Sequence, residues 1–299
     1  MKIPEQAFST PILLLLYNRP EHTKQLINTL RKIKPIKIYV SADGPNDKKP
    51  EDNARCEETR NMVKSIDWEC NVTTLYQHKN LGCANGVSTA INWFFEQEEE
   101  GIILEDDIQP SISFFSFCEE LLEKYRMDSR VMMISAINES YSYDIDNSSY
   151  FFSIYPNCWG WATWRRAWKY YDHSMEKWKG LRDTNWISDK VKHPKIYKRY
   201  RGVFELVSEN KLDSWAYRWV FANFCQAGLT IIPTKNLAKN IGFGTDSTHT
   251  NNPQDSEAYL VANEIDLPLV HPECLHIIEK FPVLTPYNKL KKKLANHFK

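Results

Sequence analysis

Between Ile12 and Ser135, short and largely apolar runs alternate with stretches whose apolar residues recur every three or four positions. The runs are Ile12–Tyr17, Lys37–Ser41, Asn71–Gln77, Gly101–Glu105 and Val131–Ser135. Runs with so few polar interruptions predict strands covered on both faces. After Arg19-Pro20, Leu26, Ile27, Leu30 and Ile33 fall at helical spacing, and Asn53–Ser65, Ala84–Glu98 and Ser111–Tyr125 also read as helices. Asp43-Gly44-Pro45-Asn46 is a strong turn signal after the second run. This alternation predicts an α/β fold, a mostly parallel twisted sheet flanked by helices and joined by right-handed crossovers. Ligands of such sheets lie beyond the carboxyl ends of the strands, so the residues that follow each run are the first functional candidates.

Beyond Ser135 the rhythm weakens and aromatic residues crowd Tyr150–Tyr171 and Trp178–Trp219, with a helix expected over Ser214–Phe224. Composition shifts near Asn251, which predicts one domain over residues 1–250 and an extension over 251–299. The extension ends in Asn288–Lys299, with five lysines, no acid, and Leu290, Leu294 and Phe298 four apart. That pattern suits an amphipathic helix on an anionic membrane surface, or a solvated tail. Balanced charge, 38 basic against 38 acidic side chains, lacks the footprint of a dedicated nucleic-acid binder. At 42% hydrophobic and 25% charged residues the chain is globular rather than disordered. Its seven cysteines are scattered and never spaced C-x-x-C, which predicts a reducing compartment and neither a disulfide framework nor a zinc site. The early apolar run Ile12–Leu16 is too short to span a bilayer, so the expected location is cytoplasmic, with peripheral membrane contact through the basic end.

Chemistry concentrates at the expected strand ends. Gly101-Ile-Ile-Leu-Glu105-Asp106-Asp107 places three acids together, and their repulsion calls for a cation or hydrogen-bond donors. Oxygen ligands there suit Mg²⁺ or Mn²⁺ bridging diphosphate oxygens. The alternative is a solvated turn with Asp107 capping the next helix. Asp43 can accept from a nucleobase N–H or ribose hydroxyl, or close an ordinary Asp-Gly turn. Arg19 suits a diphosphate, or a surface position beside Glu21. The small residues of Asn80–Gly86 favour tight helix packing over phosphate binding. In Trp159-Gly160-Trp161-Ala-Thr-Trp164 the rings either stack on an acceptor sugar or fill the core.

The order of these segments resembles glycosyltransferases of the Rossmann-like GT-A fold, and among them the N-acetylglucosaminyltransferase I family and its bacterial relatives. The likeness covers about residues 10–250. It rests on Val40-Ser-Ala-Asp43, Glu105-Asp-Asp107 with Phe114-Phe115 downstream, Ser135-Ala136, Gly160-Trp161, Asp213-Ser-Trp215, Phe243-Gly244 and Thr248-His249. The resemblance implies a nucleotide-sugar half over about 1–135 and an acceptor half over 136–250. It implies a metal, Mn²⁺ or Mg²⁺, on Asp107 and His249, with Asp106 on ribose or metal and Glu105 facing the donor sugar. Asp43 would meet uracil, Arg19 and Thr248 the phosphates, and Trp159, Trp161 and Trp164 the acceptor. Asp213 would be the general base of an inverting transfer. The implied partners are a UDP-sugar and a glycan or lipid-linked acceptor, as in bacterial surface polysaccharide synthesis. The chain departs from the family at Ser214, where a second acid is expected, and in lacking the eukaryotic members' membrane anchor. A sugar nucleotidyltransferase would need a Gly-rich basic loop where this chain has Tyr17-Asn-Arg-Pro-Glu21. A non-catalytic carbohydrate-binding protein would need the aromatic residues at the surface.

Overall fold

All five side chains of the first strand, β1 (Ile12–Leu16), are buried, as its uninterrupted apolar run requires. In the computed structural model, which describes residues 7–138, 147–242, 260–275, 277 and 278, this strand lies within an eight-stranded sheet. Parallel to it run β2 (Lys37–Ala42), then β3 (Asn71–Tyr76) on one side and β4 (Glu100–Glu105) on the other. The connecting helices are α1 (Pro20–Ile33), α2 (Asp52–Met62) and α3 (Gly82–Gln97). Pro20 opens α1 and left-handed Lys34 closes it, its N–H donating to Leu30 O. A 3₁₀ turn over Val63–Ser65 completes the helix expected to reach Ser65.

Next come β5 (Ile108–Pro110), α4 (Ser113–Tyr125), β6 (Val131–Ser135), β7 (Tyr150–Ser153) and β8 (Trp161–Trp164). Helices α5 (Arg165–Trp168), α6 (Glu176–Leu181), α7 (Trp186–Lys190), α8 (Pro194–Ser208) and α9 (Trp215–Cys225) lead to β9 (Leu229–Pro233) and β10 (Ala238–Asn240). The strand order is β3-β2-β1-β4-β8-β6-β9-β7, with β10 paired separately to β5. The sheet is parallel from β3 to β4. Beyond β4 it is mixed: β8 runs antiparallel to both β4 and β6, and β7 antiparallel to β9. The protein is therefore α/β, with a large central sheet flanked by helices.

Strand alternation divides the core. Leu14, Leu16, Ile102 and Leu104 face the side that carries Leu26 and Leu30 of α1 and Phe114 and Phe117 of α4. Leu13, Leu15 and Ile103 face Ile91 and Phe94 of α3 and Trp215 and Trp219 of α9. A third cluster, among them Trp178, Val203, Phe204 and Phe221, unites α6 to α9 beside the sheet. Truncating Leu14 to Ala in this close-packed interior is worth about 2–5 kcal/mol.

The aromatic excess is mostly core. Trp161, Trp164, Trp168, Trp178, Trp215 and Trp219 are buried, and none of the ten tryptophans is fully exposed. This corrects the expectation for Trp161 and Trp164 as acceptor platforms. Trp161 lies against Trp215, Trp219 and Trp168, with ring centroids 5.6, 5.8 and 6.2 Å away. Trp164 donates from Nε1 to Leu122 O at 3.1 Å and lies beneath the Arg166 guanidinium. Trp159 is half-buried at the edge of the first core cluster.

The described part of the extension docks on the domain. Glu264 accepts from the Ile112 and Ser113 amides at the start of α4, at 3.1 and 2.7 Å. Val270 exchanges hydrogen bonds with Ser149, and Ile277 bridges in parallel to Phe152 of β7. The basic stretch from Asn288 lies outside the described residues. No helix among the described residues is long and apolar enough to cross a membrane.

Candidate functional site

Because β2 and β3 are added on one side of β1 and β4 on the other, the chain reverses direction of sheet growth between β1 and β4. Crevices at such reversals are where open α/β sheets bind ligands. Main-chain bonds align the strand ends there. Asp43 N donates to Leu16 O at 3.0 Å and Asp106 N donates to Leu15 O at 3.1 Å.

Arg19, directly after β1, reaches across this crevice. Its Nη1 donates to Asp106 Oδ1 at 3.0 Å and to Asp107 Oδ2 at 2.9 Å. The side chains are 13%, 6% and 14% exposed, so the bridge is well shielded from water. Tyr17 N adds a bond to Asp106 Oδ2 at 3.2 Å. Removing either partner of such a buried pair leaves the other charge uncompensated. Burial still pushes the Asp106 carboxyl above its ordinary range against the pull of Arg19. Glu105 is pushed up more strongly, by burial first and then by Asp107 and Asp106.

Asp107 is fixed from a second direction. Ile241 N donates to Asp107 O at 2.8 Å, and Gly242 follows, its N–H bonded to Asn240 Oδ1 at 2.7 Å. A Cβ on Gly242 would collide with Asp107 Oδ2, so the absence of a side chain makes room for the carboxylate. Gly242 was not singled out from sequence; its place just before the Phe243-Gly244 segment was the available signal.

Among the described residues no group of three His, Cys, Asp or Glu side chains converges as a metal cage. The Asp106–Asp107 pair fits a Mg²⁺ or Mn²⁺ that takes its other ligands from phosphate and water, the usual habit of Mg²⁺. The guanidinium between the two carboxylates shows that the pair accommodates a cation. Thr248 and His249, expected on phosphate and metal, lie outside the described residues.

Asp43 is heavily engaged. Its Oδ1 accepts from the Gly44 and Leu81 amides, each at 2.9 Å, and its Oδ2 accepts from Asn80 Nδ2 at 3.1 Å. Burial raises its carboxyl, opposed by the Leu81, Gly44 and Gly82 amides and by Arg60. It thus ties the β2–α2 connection to the loop before α3. A carboxylate unrecognised in the sequence does similar work beside it. Asp52, 1% exposed, accepts from the Tyr17 hydroxyl, Asn18 Nδ2 and Asn46 N. Burial pushes Asp52 up, but these donors outweigh it and hold it below the ordinary range. The polar Tyr17-Asn18 pair ending a buried strand was the clue that a partner was needed.

Asp213 comes from the far half of the chain to the start of α3. Its Oδ2 accepts from Cys83 N and its Oδ1 from Ala84 N, both at 2.9 Å. The positive end of the helix thereby stabilises the carboxylate. The helix α9 that follows is capped by Ser214, whose Oγ accepts from Tyr217 N. Buried Arg218 ties down the segment that follows Asp213, donating to His173 O at 2.7 Å, Ser214 O at 2.8 Å and Asn210 Oδ1 at 3.0 Å. Burial pushes the Cys83 thiol up, and the charges of Glu105 and Asp213 push it further. His173 is lowered by burial and by Arg218 against the pull of Asp213.

The structure therefore joins Arg19, Asp106 and Asp107 in one cluster. It sets Asp213 against the first amides of α3, and keeps Asp43 as a loop tie. No known protein family matches the sequence. No curated protein matches it either. Solved structures give distant likenesses. Residues 1–349 of TarS from S. aureus share 10% identity at a TM-score of 0.43, covering 78% of this chain and 60% of that one. Mouse xyloside xylosyltransferase 1 shares 10% identity at 0.36, covering 72% and 81%. HddC from Yersinia pseudotuberculosis shares 13% at 0.34, covering 52% and 77%. This chain thus spans three-fifths of the TarS structure's length.

Proposed function

We propose that this protein is an inverting glycosyltransferase of the GT-A type that moves a sugar from a UDP-sugar to a glycan or lipid-linked acceptor. The supporting observation is the buried bridge of Arg19 with Asp106 and Asp107 at the β1–β4 reversal, with Asp213 brought from the far half of the chain to the start of α3. Asp107 and Asp106 would hold a Mg²⁺ or Mn²⁺, which would supply positive charge for the leaving diphosphate. Arg19 contacts that diphosphate. Glu105 faces the donor sugar, and Trp159 is the remaining aromatic candidate for the acceptor side. Asp213 takes the proton of the acceptor hydroxyl while that oxygen bonds to the anomeric carbon. The bond from that carbon to the diphosphate oxygen breaks with its electron pair on the oxygen, so no acid is required. Each Asp213 oxygen carries one amide bond, which leaves lone pairs free to receive the proton. Surface polysaccharide synthesis in a bacterial cytoplasm is the setting that suits a lipid-linked acceptor.

Calorimetry with UDP, GDP and CMP, each with and without Mn²⁺, tests the donor side. UDP binding that needs Mn²⁺ and is lost in Asp107→Ala supports the reading. Absence of binding by all three nucleotides under both conditions removes it.

A further inference from the structure

We propose that Arg19 is an exchangeable counter-ion, which holds the Asp106–Asp107 pair in the nucleotide-free protein and competes with a divalent cation for it. The inference rests on the nucleotide-binding reading of the site for its second half, in which released Arg19 serves the diphosphate.

Three observations carry it. First, a single guanidinium nitrogen spans both carboxylates, at 3.0 and 2.9 Å, so a metal ion engaging those oxygens must dislodge it. Second, the main chain of Arg19 is held apart from its head group. Thr23 N donates to Arg19 O at 3.0 Å and Pro20 fixes the first turn of α1, so the main chain can stay in place while the side chain rotates. Third, Arg19 stands at the N-cap of a 14-residue helix and makes no side-chain cap bond. A cation is disfavoured at that positive helix end, and the two aspartates offset that penalty. Once those aspartates are neutralised by a divalent ion, Arg19 and the helix terminus together present positive charge, and the favourable replacement is an anion such as a diphosphate. With Arg19 alone the carboxylate pair keeps a net negative charge that repels a nucleotide. With a divalent cation added, the balance becomes positive. The site is thereby closed to nucleotide until metal is present.

The test titrates Mn²⁺ alone into nucleotide-free wild type, Arg19→Met and Arg19→Lys, by calorimetry. Competition predicts Mn²⁺ binding about tenfold tighter in Arg19→Met, the scale of removing one like charge from a partly screened site, with Arg19→Lys between the two. Unchanged or weaker Mn²⁺ binding in Arg19→Met, or none in any of the three, overturns the inference. If Arg19→Met fails to fold, the Lys variant decides by the direction of its change. UDP titration at saturating Mn²⁺ reads the second half, with about tenfold weaker binding expected in Arg19→Met. Tighter Mn²⁺ binding in the variant with no UDP binding by wild type upholds the exchange and overturns the transferase reading instead.

Discussion

Two carboxylate centres of this protein are neutralised by opposite means. Asp106 and Asp107 face a long side chain, the Arg19 guanidinium, while Asp213 faces the main-chain amides of Cys83 and Ala84. A guanidinium can rotate away and be replaced by another cation. The amides of a 16-residue helix cannot. The first centre is thus built to change its partner, and the second to hold a carboxylate in one place.

The sharpest way to break this contrast is to delete each acid. Asp107→Ala and Asp213→Ala should each lower transfer by about 10³-fold or more in a turnover assay. Only Asp107→Ala should also weaken UDP binding, and comparable loss of UDP affinity in both would merge the two centres. Asp52→Ala should cost about 2–4 kcal/mol of stability in denaturant unfolding, because it strands the Tyr17 hydroxyl, Asn18 amide and Asn46 N–H. Gly242→Ala should cost about 1–2 kcal/mol of UDP binding by calorimetry, through displacement of the Asp107 carboxylate. Its melting temperature should also fall, since the displaced carboxylate loosens the buried bridge to Arg19.

The smallest effect concerns pH. Burial pushes Glu264 up, but the Ser113 hydroxyl and the Ser113 and Ile112 amides outweigh it and hold its carboxyl below the ordinary range. A depressed folded-state value gives stability that is present above the unfolded value of about 4.3 and is lost as pH falls through the folded one. Glu264→Gln should therefore melt about 1 °C below wild type at pH 7, with the gap closing towards pH 3.

The strands that build the crevice were legible because burial on both faces leaves an unbroken apolar signature, as in Ile12–Leu16 and Ile102–Leu104. The acids after them stood out because charges end such runs abruptly. What escaped depends on contacts distant in sequence. Asp213 caps a helix 129 and 130 positions earlier, and Glu264 caps one more than 150 positions away. No local window contains both partners of such a cap. Trp161 and Trp164 resembled a sugar platform because a tryptophan-rich strand has the same composition whether it faces solvent or helices. Arg19 was placed at the right strand end, and its aspartate partners became visible only when β1 and β4 were set side by side.

The antiparallel insertion of β8 bears on how the polypeptide comes together. β8 fills the gap between β4 and β6, and β6 has no pairing to β4. A ribosome that has released only the first 135 residues has made the crevice acids, yet β4 still presents a bare edge and β6 has no neighbour. Open edges of this kind recruit other chains. The nascent polypeptide should therefore depend on Trp161–Trp164 emerging before its first 135 residues are safe from aggregation, and severing the gene near codon 135 should yield two insoluble pieces rather than two modules.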